Sequence, residues 1–246
     1  MKKLQNWEIA TNKFLEDWKN KKDVIGIIIC GSYITGNPSK HSDVDIQIIL
    51  DNKVNYRERG NKIINGMLIE YFANPLKKLK EYEESDFKSR RKVMNHMLAT
   101  GKVVLDKTGE IKKLVAQMKK QLNKKYPKMN KTVIEITKYH IWDMKDNLEE
   151  VYKNKDLNFQ YVYYNQLNDV FEKYTKYLQT DYYTPDKQQK ILISKKNQKK
   201  YCIQNFPDKE FKKKYLEALK VKNKKDMLKK YIEITNYALK KWVDLR

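Results

Sequence analysis

The chain has 246 residues, with 53 Lys and Arg against 31 Asp and Glu and a formal net charge of +22. No stretch approaches the ~18 uninterrupted apolar residues that a membrane-spanning helix needs, and Met1-Lys2-Lys3-Leu4-Gln5-Asn6-Trp7-Glu8 lacks the apolar core of a secretion signal. Cys30 and Cys202 are the only cysteines and have no metal-ligand neighbours, so no disulfide framework is expected and a reducing cytoplasm is the expected location.

Trp7, Ile9, Ala10, Phe14, Leu15 and Trp18 recur at helical spacing and predict a helix over residues 5–20. Two apolar runs follow, Val24-Ile25-Gly26-Ile27-Ile28-Ile29-Cys30 and Ile46-Gln47-Ile48-Ile49-Leu50, each read as a core strand. Between them stands Gly31-Ser32-Tyr33-Ile34-Thr35-Gly36-Asn37-Pro38-Ser39-Lys40-His41-Ser42-Asp43-Val44-Asp45. Strand residues two apart share a face, so Asp43 and Asp45 are expected side by side at the opening of the second strand. Paired carboxylates suit a hard divalent cation such as Mg²⁺. Glycine in the Gly31-Ser32 turn lets backbone N–H groups and a hydroxyl come close to a phosphate. The competing reading is a polar turn between two core strands, with both aspartates solvated.

Lys62 to Phe72 reads as a hairpin around the Asn65-Gly66 turn. Within it Glu70 is a lone acid among Leu68, Ile69, Tyr71 and Phe72. Such a carboxylate is costly to bury unless paired or metal-bound, and an edge strand with Glu70 facing water is the alternative. Residues 77–92 are expected to be helical, 102–106 a short strand, and Thr108 a cap for a helix beginning near 110.

The run Gly-Ser, ten residues, then Asp-x-Asp, framed by two strands, resembles the signature of the polymerase-beta-like nucleotidyltransferases. Gly31, Ser32, Gly36, Ser42, Asp43 and Asp45 match it. The resemblance implies that Asp43, Asp45 and Glu70 hold Mg²⁺, and that Gly31, Ser32 and Ser42 hold the phosphates of ATP or another nucleoside triphosphate. Many members carry Arg before the next Gly, where this chain has Thr35; Lys40 or another lysine is left to make that contact. An aromatic residue often precedes the Gly-Ser pair, where this chain has Cys30.

Strand signals end near residue 110. Helices are expected over 132–152, over the tyrosine-rich 158–179, and over 208–220 and 224–242, with a loop around Tyr182 to Asp186 and a solvated loop or helix face at 195–200. The fold class is therefore α+β: a mixed sheet with flanking helices over residues 1–125, then a helical bundle over 126–246. That layout resembles the kanamycin-type antibiotic nucleotidyltransferases, which implies a small acceptor in a cleft between the halves. It also implies a general base on the first long helix of the second half, where Asp143 is the candidate. A solvated acidic face is the plain alternative for Asp143.

Residues 1–110 carry 20 basic and 15 acidic residues, net +5, so the remainder carries 33 against 16, net +17. Only Arg57, Arg59, Arg90, Arg91 and Arg246 are arginines, and Lys is the weaker sign of base or phosphate recognition. Compositional drift and a polyanion-binding surface both fit this charge. The expected activity is Mg²⁺-dependent transfer of a nucleoside monophosphate, AMP from ATP, to a hydroxyl of an aminoglycoside-like acceptor. The alternatives are transfer to RNA or protein (an antitoxin-type role included) and a non-catalytic nucleotide-binding module. No membrane partner is expected, and a homodimer stays open.

Overall fold

A computed structural model describes residues 4–36, 38–200 and 202–243. The chain divides into two compact units, one formed by the residues up to Lys124 with the short segment Lys200–Cys202, the other by Lys125–Lys199 and the chain from Ile203 onward.

In chain order the first unit contains α1 (Asn6–Asn20), β1 (Val24–Cys30), α2 (Ser32–Thr35), β2 (Val44–Leu50), β3 (Glu58–Ile64), β4 (Met67–Pro75), α3 (Leu76–Lys88), α4 (Val93–Thr100), β5 (Lys102–Asp106) and α5 (Glu110–Gln121). The strands form one mixed sheet in the order β3-β4-β2-β1-β5, with β2 and β4 parallel and the other pairs antiparallel. All seven residues of β1 are buried, because helices cover both faces of the sheet and a strand so placed must be apolar on both sides. Ile27, Ile29, Val44, Ile46, Ile48, Ile69 and Tyr71 pack against Ala10, Phe14, Leu15 and Trp18 of α1. Ile28, Cys30 and Ile49 pack on the other face against Leu79 of α3, Leu98 of α4 and Leu114 and Met118 of α5. Each such Val, Leu, Ile, Phe or Met side chain contributes about 1.5–3 kcal/mol by leaving water.

The chain departs from the sequence expectations in local ways. Residues 77–92 do not form one helix: α3 ends at Lys88, Arg90 turns left-handed at φ 53°, and α4 starts at Val93. Thr108 is a minor cap. Asp106 supplies most of the capping of α5, accepting from the N–H groups of Gly109 (2.7 Å) and Lys112 (3.1 Å), while Thr108 Oγ1 accepts only from Glu110 at 3.3 Å.

The second unit contains α6 (Lys131–Lys153), α7 (Phe159–Tyr177), α8 (Pro185–Ile193), α9 (Lys195–Lys200) up to Lys199, α10 (Lys209–Lys220) and α11 (Lys224–Val243). It is helical throughout its ordered elements, and α11 packs against α6, α7 and α10. Two tyrosines of α7 serve its core, Tyr163 and Tyr174, which are fully buried, while Tyr161 and Tyr164 stay exposed. Asp208 caps α10 by accepting from Phe211 N–H at 2.9 Å, and it also accepts from the Tyr174 hydroxyl at 2.6 Å.

Candidate active site

The site grows from the ladder register. Asp45 stands opposite Cys30 in the β1–β2 pairing and opposite Glu70 in the parallel β2–β4 pairing. Val44 and Ile46, and likewise Ile69 and Tyr71, point at α1, so alternation sends Asp45 and Glu70 to the opposite face. Asp43 lies one residue before β2 rather than within it. Asp43, Asp45 and Glu70 are all half-buried, and each offers a carboxylate oxygen within 4.8 Å of the others. Three oxygen donors from hard carboxylates, gathered on one face of the sheet where β2 begins, fit Mg²⁺.

Gly31 follows β1 at φ 78° and ψ −160°, a conformation that L side chains rarely adopt. A Cβ there would lie 2.0 Å from Asp45 Oδ2. The Gly31 carbonyl accepts from Ile34 and Thr35 N–H at 3.2 and 3.1 Å, which folds the next residues into the single turn of α2. Ser32, half-buried, is the first residue of that turn. Thr35, at the place where many family members carry Arg, turns its hydroxyl back to donate to Gly31 O at 3.2 Å. Ser42 closes its own loop: its Oγ accepts from Ser39 N–H at 2.8 Å, and its N–H donates to Ser39 O at 3.0 Å.

Burial, and secondarily the negative charge of Asp45, pushes the Cys30 thiol well above its ordinary range. It is a neutral core thiol and not a nucleophile, since reactivity needs the thiolate. Glu70 escapes the cost of a lone buried acid by pairing: Arg59 Nη2 donates to Glu70 Oε1 at 2.8 Å. Arg59 stands across from Phe72 in the β3–β4 ladder, and its guanidinium lies 4.6 Å over the Phe72 ring. Sequence reading did not single out Arg59. Glu58-Arg59-Gly60-Asn61-Lys62 has no apolar alternation, and only pairing with β4 makes it a strand.

Asp143 belongs to the other unit, on α6, where it is half-buried and accepts from Asn147 Nδ2 at 3.3 Å. A depression of about 520 Å³ in that unit, lined by Tyr152, Lys153, Lys155, Phe159, Lys224 and Lys225 among others, contains none of the nominated residues. No helix among the described residues is long and apolar enough to cross a membrane.

A Gly-Ser turn thus lies against a three-carboxylate cluster on a mixed sheet. The sequence model of the polymerase beta nucleotidyltransferase family matches residues 12–110, and that segment belongs to the polymerase-beta-like superfamily. Among solved structures the chain is similar to a nucleotidyltransferase-like protein from Exiguobacterium sibiricum, at 9% identity and a TM-score of 0.49, over 95% of this chain and 74% of that one. No curated protein matches it.

Proposed function

We propose that the protein is a Mg²⁺-dependent nucleotidyltransferase that moves AMP from ATP to a hydroxyl of a small cationic acceptor, an aminoglycoside-like antibiotic, in the cytoplasm. The observation that carries this reading is the convergence of Asp43, Asp45 and Glu70 within 4.8 Å of one another inside the segment matched by the family model.

Asp43, Asp45 and Glu70 are assigned as the metal ligands. Bound there, Mg²⁺ would neutralise triphosphate charge and lower the pKa of the acceptor hydroxyl. Gly31 and Ser32 are assigned to the β- and γ-phosphates, where a glycine turn admits close approach of backbone N–H groups. Ser42 holds the loop that delivers Asp43. Asp143 is assigned as the general base that takes the proton of the attacking hydroxyl, with the α-phosphorus attacked in line and pyrophosphate leaving. Residues 1–125 would form the catalytic domain and 126–246 the acceptor-binding domain, as in the kanamycin-type enzymes.

The choice of a cationic acceptor is supported by the solvent face of α6. Glu135, Asp143, Asp146 and Glu150 fall on one stripe with Tyr139 and Trp142, opposite the buried Thr137, Ile141 and Leu148. Tyr139 is 62% exposed and Trp142 52%, with ring centroids 6.4 Å apart. Carboxylates beside aromatic faces suit ammonium groups on a sugar ring. A second reading, nucleic acid as acceptor, is favoured by the four lysines around the depression in the same unit.

The test is incubation of the full chain with ATP labelled at the α-phosphate, Mg²⁺ and a panel of aminoglycosides, lincosamides, tRNA and proteins. Label transferred to a small cationic sugar with pyrophosphate released supports the reading. Transfer to RNA alone, steeply weakened by salt, replaces it with the second. No transfer to any acceptor refutes both.

A further inference from the structure

We propose that Arg59 is the built-in counter-cation of Glu70, and that a divalent metal must displace its guanidinium to gain Glu70 as a ligand. This rests on the reading of Asp43, Asp45 and Glu70 as a metal site.

The geometry carries it. Arg59 touches one Glu70 oxygen, Oε1, at 2.8 Å, and Glu70 is at the same time one of three carboxylates mutually within 4.8 Å. A guanidinium and a divalent cation therefore compete for the same carboxylate. Arg59 is held in place on two sides, by Glu70 and by the Phe72 ring, whose centroid lies 4.6 Å from its guanidinium carbon. The cross-strand register aligns this arrangement: Arg59 faces Phe72, and Glu70 lies two residues along β4 on the same face. The Arg59 side chain is 70% exposed against 22% for Glu70. The arginine can swing into water without opening the core, while the carboxylate stays. The paired form keeps the acidic cluster compensated without metal, and it sets a metal concentration below which the third ligand is withheld.

A double-mutant cycle on Mn²⁺ binding tests this, with free Mn²⁺ read by electron paramagnetic resonance on the full chain without nucleotide. An exposed ion pair couples modestly, so Arg59→Gln is expected to bind Mn²⁺ about two- to fivefold more tightly than wild type. The gain should vanish in a Glu70→Gln background, where no carboxylate is left to compete for. Arg57→Gln, which removes an equal charge from a side chain lying over Tyr82 instead, should change nothing. Equal or weaker binding by Arg59→Gln, or the same gain without Glu70, overturns the proposal. Wild type that binds no Mn²⁺ removes the metal reading as well, so the two failures are distinguishable. The unmutated protein gives a second readout. With five arginines in the chain, the Arg59 side-chain N–H resonance can be followed by NMR as Mg²⁺ is added. It should move towards the position of free arginine, and an unmoved signal contradicts the displacement.

Discussion

Gly31 and Asp45 occupy each other's space: the position a Cβ would take on Gly31 lies 2.0 Å from Asp45 Oδ2. The carboxylate rests where any other residue would put a side chain, and the turn after β1 thereby sets the place of the Asp45 carboxylate on β2.

Gly31→Ala should accordingly do two things. The combination of φ 78° and ψ −160° costs a non-glycine residue about 1–3 kcal/mol, visible in urea denaturation. Displacement of Asp45 should also lower turnover by roughly a hundredfold, since small misplacements of a catalytic group are costly. Full turnover in a destabilised Gly31→Ala protein would show that the contact with Asp45 is incidental.

Asp143→Asn is expected to lower kcat by about 10²–10⁴ with little change in KM, the range for loss of a general base. The residue is half-buried on α6 and bonded only to Asn147 among the described hydrogen bonds, so thermal stability should be unchanged. Undiminished kcat would refute the base role of Asp143.

Asp106 gives a pH-dependent prediction. Desolvation raises its pKa, but the N–H groups of Lys112, Ile111, Gly109 and Thr108 outweigh it and hold the carboxyl below its ordinary value. A folded-state pKa below the unfolded one adds stability above the unfolded value, and that stability is lost as pH falls through the folded value. Asp106→Ala should therefore cost about 1–2 kcal/mol at neutral pH, as loss of a helix cap does. The gap to wild type should begin to narrow near the ordinary aspartate value of about 4 and close only at lower pH. Denaturation curves at both pH values measure it, and a gap constant with pH would contradict the capping account.

In the helical unit, Asp208 holds two tyrosine hydroxyls, Tyr174 at 2.6 Å and Tyr237 at 3.0 Å, and the Phe211 N–H at 2.9 Å. Asp208→Ala leaves the buried Tyr174 hydroxyl without its acceptor and removes a cap, for a loss of about 2–4 kcal/mol. Tyr174→Phe removes both the hydroxyl and its need for a partner and should cost about 1 kcal/mol. Equal costs for the two variants would show that the bond, rather than the orphaned group, sets the penalty.

The core of the fold and the acidic cluster were legible in the sequence for related reasons. Apolar runs mark β1 and β2, and an acid placed inside such a run, as Glu70 is in β4, has few tolerable fates. Glycine before Ser32 marks a turn that needs positive φ. Elements defined only by tertiary pairing stayed hidden. β3 begins at Glu58, four residues before the predicted hairpin, because its polar edge residues gain order from β4 alone. Arg59 was hidden with it. The four-residue α2 and the eight-residue α4 are too short for a periodic signal, and α8, starting at Pro185, occupies part of the stretch expected to be loop. The lysine-rich 195–200 resolves as helix α9, with Gln198 Nε2 donating to Ile191 O at 2.9 Å.

The most direct test of the metal-dependent transfer is pyrophosphate release from ATP, with an accepted acceptor and Mg²⁺, by wild type and by Asp45→Asn. Asp45→Asn should lose at least about a thousandfold, with an unchanged circular dichroism spectrum, and wild type in EDTA should lose as much. Turnover that survives either the substitution or the chelator contradicts it.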